Sequence, residues 1–277
     1  MNRNQPKTDR RSYPRKNKAL GQVFLKDDWP CVRMASGLKN QGITHVLEIG
    51  PGGGALTKHL LKAGLHVTCV EKDTRFAEIL EEKKEELTDV GGSLLILNED
   101  ILKFDLQGWL IDKPFSVAVC GNIPYNISSP ILIKVLPLLS RLVTVCFLVQ
   151  LEFGQRVCAE PGSKNYGSLS VFSQLRALTN LDFVVSKRCF TPIPKVDSAV
   201  ISMKKPIIKF SEQLLQKTET VTRQAFTMRR KKLSNAMAKF LNSKDLNLAP
   251  INLDQRPDVT TPKQFVEMTK FIFDIED

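Results

Sequence analysis

THVLEIGPGGGALTKHLLKAGLHVTCVEKD, residues 44–73, decides the fold. Its opening THVLEIG (44–50) is an apolar run of strand length, ALTKHLLKAG (55–64) has helical periodicity and stops on Gly64, and HVTCVEKD (66–73) is a second strand. Strand, glycine turn, helix and strand in that order form a parallel crossover unit. The alternation continues outward: TRFAEILEEKKEEL (74–87) predicts a helix, SLLILNED (93–100) and FSVAVCGN (115–122) strands, PILIKVLPLL (130–139) a helix despite Pro137, and VTVCFLVQ (143–150) a strand. The strands are almost continuously apolar, which predicts an α/β fold with a parallel sheet covered by helices on both faces.

Beyond residue 150, EFGQRVCAE and SLSVFSQLRAL read as helices. DFVVSK (182–187) and DSAVISMKK (197–205) read as a late antiparallel strand pair joined by the Pro-rich RCFTPIPKV. Past Pro206 the chain turns helix-rich and basic, with a further helix at PKQFVEMTKFIF (262–273). Three segments are expected: a basic tail over 1–18, a ligand-binding domain over 19–206 and a small helical domain over 207–277. The tail carries seven basic residues, one acidic residue and no apolar segment of a secretory signal.

The chain has 277 residues with 40 Lys and Arg against 29 Asp and Glu, and a net charge of +11 favours phosphate-rich partners. No apolar run approaches the ~20 residues of a membrane helix, so no membrane partner is expected. Six cysteines occur without a C-x-x-C pair, which argues against zinc and disulfides and for free thiols in a reducing cytoplasm. His45, His59 and His66 lack metal-ligand spacing, so no metal site is expected.

EIGPGGGAL follows the first strand and opens a helix, so Gly50, Gly52 and Gly54 permit a tight turn and close backbone approach to a ligand. Glu71 ends the second strand 21 residues after Gly50, where an acid bonds ribose hydroxyls. Gly50-x-Gly52-x-x-Ala55 also satisfies a dinucleotide fingerprint, and the loop alone does not separate NAD from S-adenosylmethionine. The later strand ends favour the latter: Glu99-Asp100 suits an adenine amino group, and Asn122-Ile123-Pro124-Tyr125 is a tetrapeptide that hydride transfer does not require. An adenine N6 amine is a poor nucleophile, and two acceptors bonded to its hydrogens would favour attack on a sulfonium methyl by positioning alone. Asn122 offers an amide oxygen, Pro124 stiffens the turn, and Tyr125 offers a π-face. Phe190, in a Pro-rich loop, is a candidate cover for an extruded base. Arg229, Arg230, Lys231 and Lys232 are expected in one helical turn, with Arg223 nearby, as a grip on RNA phosphates.

KNKALGQVFL (16–25), EIGPGGGALT (48–57), VEKD (70–73), NED (98–100), GNIPYNISSPIL (121–132), AEPGSKNYGSLSV (159–171) and FTPIPKVDSAV (190–200), with DQRPDV (254–259) more weakly, resemble the small-subunit ribosomal RNA adenine N6,N6-dimethyltransferases. The resemblance implies a Rossmann-like class I methyltransferase domain with a small C-terminal helical domain. It implies S-adenosylmethionine held by Gln22, Val23, Leu25, Gly50, Gly52, Glu71, Asp100 and Asn122, with the target amine at Asn122, Pro124 and Tyr125 and Phe190 against the base. The implied substrate is two adjacent adenosines in a hairpin near the 3′ end of small-subunit RNA, each methylated twice during ribosome assembly by a monomeric, cytoplasmic enzyme. Val23 replaces the family's usual Asn or His, a change that a backbone contact survives. Leu151, Phe153, Gly154 and Met228 also depart from the pattern. The related large-subunit adenine methyltransferases of antibiotic resistance share the glycine loop and NIPY, but PGSKNYGSLSV and PKVDSAV favour the small subunit. A protein glutamine methyltransferase, with N-P-P-Y, fits less well because Ile123 replaces the first Pro, and the intact Gly50–Glu71–Asp100–Asn122 set argues against a non-catalytic assembly factor.

Overall fold

A computed structural model describes residues 23–89, 91–242 and 244–275; the basic tail over 1–18 and Gln22 lie outside them. Nine strands are present among these residues: β1 Phe24–Leu25, β2 His45–Ile49, β3 His66–Val70, β4 Ser93–Leu97, β5 Val117–Asn122, β6 Thr144–Gln150, β7 Leu178–Val185, β8 Phe190–Thr191 and β9 Ser198–Lys204. Seven of them form one sheet in the order β4-β3-β2-β5-β6-β9-β7, and β1 pairs with β8 in a separate ribbon. β4, β3, β2, β5 and β6 run parallel, and β9 and β7 add an antiparallel edge. The expected α/β architecture and late hairpin are both present.

Alternate side chains of each central strand enter different cores. Leu47 and Ile49, Val117 and Val119, and Val145 and Phe147 join Leu110, Ile131 and Leu136 on one face. Val46, Ala118, Cys120, Cys146 and Leu148 join Cys31, Leu38 and Leu60 on the other. Burial on both faces is why these strands read as unbroken apolar runs. The order reverses at β2, whose neighbours β3 and β5 lead to opposite edges, and such a switch point leaves a crevice at the carboxyl ends of the strands.

Several boundaries differ from the expectation for local reasons. The helix expected over 74–87 is two, Thr74–Glu82 and Lys84–Thr88, broken at Lys83. The segment around Pro137 is helical only over Ser128–Val135, then 3-10 over Leu136–Arg141, because proline lacks the N–H for an i→i−4 bond. β4 ends at Leu97, and Asn98 turns back to donate from Nδ2 to the Glu71 carbonyl at 2.8 Å. β7 begins at Leu178, four residues before the expected 182, and is bulged between Leu181 and Phe183.

A third core joins Ala159, Tyr166, Val171 and Leu175 to Leu214, Val221, Leu233, Phe265 and Met268 of the C-terminal helices. The helix Pro262–Phe273 lies where expected, closed by a Thr261–Gln264 capping box. The basic run is not a helical turn: the helix Glu212–Thr227 ends before it, and residues 228–232 form a turn leading to Leu233–Ala236. Long-range backbone bonds set this path, Leu233 N–H to the Gln255 carbonyl at 2.9 Å and Ser234 N–H to that of Leu253 at 3.0 Å.

Candidate active site

The crevice at the switch point is a cavity of about 740 Å³ lined by Val23, Leu25, Gly50, Gly52, Glu71, Asp100, Asn122, Pro124 and Tyr125 among others. Nine residues named from sequence therefore meet at one site. Its floor is the turn after β2. Gly50 and Gly52 have φ of 63° and 53°, the left-handed region that favours glycine. A Cβ on Gly52 would lie 2.9 Å from the Phe24 ring, so the close cover of this turn by β1 also requires glycine.

Glu71 fixes the turn. Its Oε2 accepts from the Gly52 N–H at 3.0 Å and its Oε1 from the Asp73 N–H at 2.8 Å. Burial pushes its carboxyl above the ordinary carboxylate range, and the two backbone bonds oppose that. A carboxylate has about four lone-pair sites, so the bonds leave capacity for a ligand's hydroxyls. Asp100 sits across the cavity, accepting from Lys72 Nζ at 2.8 Å and from the Leu102 N–H at 2.9 Å. The Lys72 bond holds Asp100 below its usual range, so it remains an anionic acceptor.

Asn122 ends β5, and its Nδ2 donates to the Val23 carbonyl at 3.0 Å. The bond aims the amide nitrogen at β1 and leaves Oδ1 as an acceptor. It also explains the departure at position 23, because a backbone carbonyl is indifferent to the side chain that bears it. Tyr125 is half-buried, its hydroxyl 3.0 Å from Ser198 Oγ, and burial raises its ionisation further, so the phenol stays neutral. The Pro124 carbonyl already accepts from the Ile127 N–H at 3.1 Å and Ser128 Oγ at 3.2 Å. Ile123 lines the cavity with its side chain in the core, and its carbonyl accepts no hydrogen bond among the described residues. The turn stiffened by Pro124 is expected from sequence to aim nearby carbonyls, but side-chain motifs carry no signal for which of them stays unpaired. Sequence reasoning missed Asp28, Lys58 and Lys72 at the rim, where Lys58 pairs with Asp28 at 2.9 Å.

Phe190 is placed differently from the expectation. It is 1% exposed, pairs with Leu25 through the backbone and belongs to the core around Cys31 and Leu38; its neighbour Thr191 lines the cavity instead. Among the basic residues, Arg229 Nη2 donates to the carbonyls of Ser163 and Lys164 at 3.2 and 2.8 Å, Lys232 pairs with Asp254 at 3.1 Å, and Arg223 lies 3.7 Å from Glu219. Arg230 and Lys231 are exposed and have no ion pair among the described residues. Gln22 lies outside the described residues. No group of three or more metal-ligating side chains occurs among the described residues. All six cysteines are free.

The chain matches the family model described as ribosomal RNA adenine dimethylase over residues 14–274. It is 40% identical over 255 residues to Ribosomal RNA small subunit methyltransferase A of Parabacteroides distasonis, covering 91% of this chain and 92% of the relative. It is 37% identical over 258 residues to the protein of the same name from Flavobacterium johnsoniae, covering 92% and 95%. Among solved structures, the 23S rRNA methyltransferase ErmE superposes with a TM-score of 0.67 at 24% identity, covering 90% of this chain and 99% of that one, which is a likeness of fold.

Two outcomes follow from this geometry. Phe190→Ala removes a fully buried ring and is expected to destabilise the protein by about 3–5 kcal/mol in denaturant unfolding. A variant as stable as the wild type but defective toward RNA would return Phe190 to the base. The second concerns Glu48, a buried residue among those lining the cavity, which accepts from Thr57 Oγ1 at 2.7 Å. Burial raises its carboxyl from 4.5 to about 7. The folded chain then keeps a proton that the unfolded chain has released, so the stabilisation is complete below 4.5 and is lost as pH rises through about 7. Unfolding free energies at pH 5 and pH 8 are expected to differ in the wild type and to differ less in Glu48→Gln; equal pH dependence in both would remove Glu48 as the source.

Proposed function

The chain belongs to the ribosomal RNA adenine dimethylase family, and we propose that it dimethylates two adjacent adenosines at N6 in a hairpin near the 3′ end of small-subunit ribosomal RNA. The cofactor is S-adenosylmethionine, and when bound it supplies an electrophilic methyl group. The cavity fits such a group: the turn at Gly50 and Gly52 lets the backbone approach closely, Glu71 retains acceptor capacity for ribose hydroxyls, and Asp100 is a charged acceptor for an adenine amine. Val23 and Leu25 supply apolar cover, and Gln22 precedes them in the chain.

The observation that carries the reaction is the orientation of Asn122. With Nδ2 bonded to Val23, Oδ1 is free to accept one hydrogen of the target amine, and the Ile123 carbonyl is free to accept the other. Two acceptors draw the nitrogen toward a tetrahedral geometry and hold it for in-line attack; the N–C bond would form as the bond between the sulfonium and its methyl breaks, leaving a neutral thioether, and the proton of the methylated nitrogen would pass to water. Pro124 stiffens the turn that carries the Ile123 carbonyl, and Tyr125, braced by Ser198, presents its ring to the adenine. The small subunit is the favoured substrate because the curated relatives at 37–40% identity bear that name, whereas ErmE shares the fold at 24%.

The division near residue 206 separates catalytic from RNA-contacting parts, with the helix Ser168–Arg176 contributing to the core of both. A monomer is the family expectation, and free thiols suit a reducing cytoplasm. No helix among the described residues is long and apolar enough to cross a membrane.

Asn122→Ala is expected to lower turnover on undermethylated small subunits by ~10²–10³-fold while cofactor binding stays measurable by calorimetry; a near-normal single-turnover rate would sink the assignment. RNA contact in the C-terminal half is carried by the exposed Arg223, Arg230, Lys231 and Lys232, of which Arg230 and Lys231 have no ion pair among the described residues, whereas Arg229 is tied to the carbonyls of Ser163 and Lys164. Replacing either Arg230 or Lys231 by Gln is expected to reduce the log–log salt slope of small-subunit binding by ~0.7–0.9 without changing cofactor affinity. An unchanged slope would leave the pair a solubilising role.

A further inference from the structure

A second cavity, of about 320 Å³, lies between the first helix, Trp29–Asn40, and the edge strand β7, over the sheet face that carries Cys146 and Ser202. The β7–β9 register orients it: Val185 pairs with Ser198, which is bonded to Tyr125 of the active site, and Leu178 pairs with Lys204 at the far end. The groove therefore leads away from the active-site end of the sheet. Its size is at the lower end of the about 300–1,000 Å³ of small-molecule sites.

Three independent features mark it as a binding site. The first is Gly37, inside the helix, where glycine is unfavourable. A Cβ there would meet nothing within 4 Å, so neither contact nor backbone angle requires glycine, yet any side chain would project beside the cavity that Gly37 lines. The second is Gln41, whose Nε2 donates to the Gly37 carbonyl at 2.9 Å while its Oε1 is buried without a hydrogen-bond partner among the described residues. A buried acceptor left unpaired is destabilising unless a ligand's donor meets it. The third is the end toward the active site, where the Arg33 guanidinium sits 4.1 Å over the Phe183 ring and the half-exposed Trp29 ring lies 5.5 Å from it. Stacked cation and aromatic groups are the usual platform for a single-stranded nucleic acid.

We propose that this cavity takes an unpaired nucleobase of the RNA substrate, an inference that rests on the RNA substrate assigned above. The base stacks beside the Arg33–Phe183 pair and its exocyclic amine donates to Gln41 Oε1, so adenine, cytosine or guanine is accepted in preference to uracil. Lys204 at the far end of the groove is placed for a flanking phosphate, and the carboxylate in the lining, Asp182, is taken up by Asn180 and Ser202. The protein thus holds its RNA at two places, the methylated base in one cavity and an unmodified base in the other.

Gly37→Leu fills the cavity and Arg33→Gln removes the cation from the platform, and neither residue lines the active-site cavity. Affinity for undermethylated small subunits, cofactor affinity by calorimetry and melting temperature would be measured for both. Stacking of one base is worth ~1–3 kcal/mol, so particle affinity is expected to fall roughly 10- to 100-fold in Gly37→Leu and measurably in Arg33→Gln, with cofactor affinity and melting unchanged. Normal particle affinity and methylation in both variants would overturn the proposal, while methylation by the wild type would leave the enzymatic reading intact. A wild type that does not act on small-subunit RNA would overturn both readings. Free adenosine monophosphate is the remaining arm: if it binds the wild type and not Gly37→Leu while particle affinity is equal, the occupant is a free nucleotide and the RNA assignment fails.

Discussion

The cavity depends on one carboxylate. Glu71 follows β3, yet it accepts an N–H from the turn after β2 and another from the start of the next helix. Without it, two neighbouring strand ends would leave their backbone donors in a partly dry crevice, and unpaired donors there are costly. Positive φ at Gly50 and Gly52 lets the turn reach that carboxylate, and Asn98 caps the same strand end through the Glu71 carbonyl. Burial works against the charge on Glu71, and the backbone bonds work for it. The site is held by a tension between desolvation and hydrogen bonding at this one side chain.

A second tie closes the cavity from above. The ribbon of β1 and β8 is only two residues deep, too short to persist alone. It is kept in place because Phe24 packs on Phe76 at 5.2 Å, Phe190 is buried beneath it, and Asn122 reaches the Val23 carbonyl. The bond that orients the Asn122 amide is therefore also one that holds the lid strand. The bond needs only the carbonyl at position 23, and the Val side chain packs against the core beside it, which is why Val is compatible with the arrangement.

Residues 44–150 were legible because each central strand is buried on both faces and each crossover helix on one, so apolar periodicity carried the structure. The placing of the strand-end residues was legible for the same reason: Gly50 and Glu71 follow directly on β2 and β3 and Asn122 closes β5, whereas Asp100 stands three residues past the end of β4. Polar character hid the first half of β7, where Thr179 and Asn180 pair with Met203 and Ser202 but look like loop. Four consecutive cations suit a helix or a turn equally, and the choice was made by bonds to Leu253 and Gln255, distant in sequence. Phe190 is buried where a cover for a base was expected, because a residue beside prolines carries no sign of which way it faces. The free carbonyl of Ile123 belongs to the backbone and leaves no trace in side-chain patterns.

The two parts of the molecule are joined by a contact that fixes register as well as proximity. Arg176 ends the helix Ser168–Arg176, with its side chain 3% exposed, and pairs with Glu212 at 2.8 Å and Glu219 at 2.6 Å. Desolvating a guanidinium costs several kcal/mol, and Nε and Nη1 of Arg176 have no hydrogen-bond partner among the described residues. Two carboxylates and the face of Phe172, 4.4 Å from the guanidinium carbon, offset that cost. An apolar contact of the same area would hold the helices together but could slide along them. Glu212 and Glu219 are seven residues apart, two turns on one face of the helix Glu212–Thr227, and a rigid guanidinium between them admits one axial position. The turn bearing Arg230 and Lys231 follows directly from the end of that helix. The register set at Arg176 therefore sets where those cations stand relative to Tyr125.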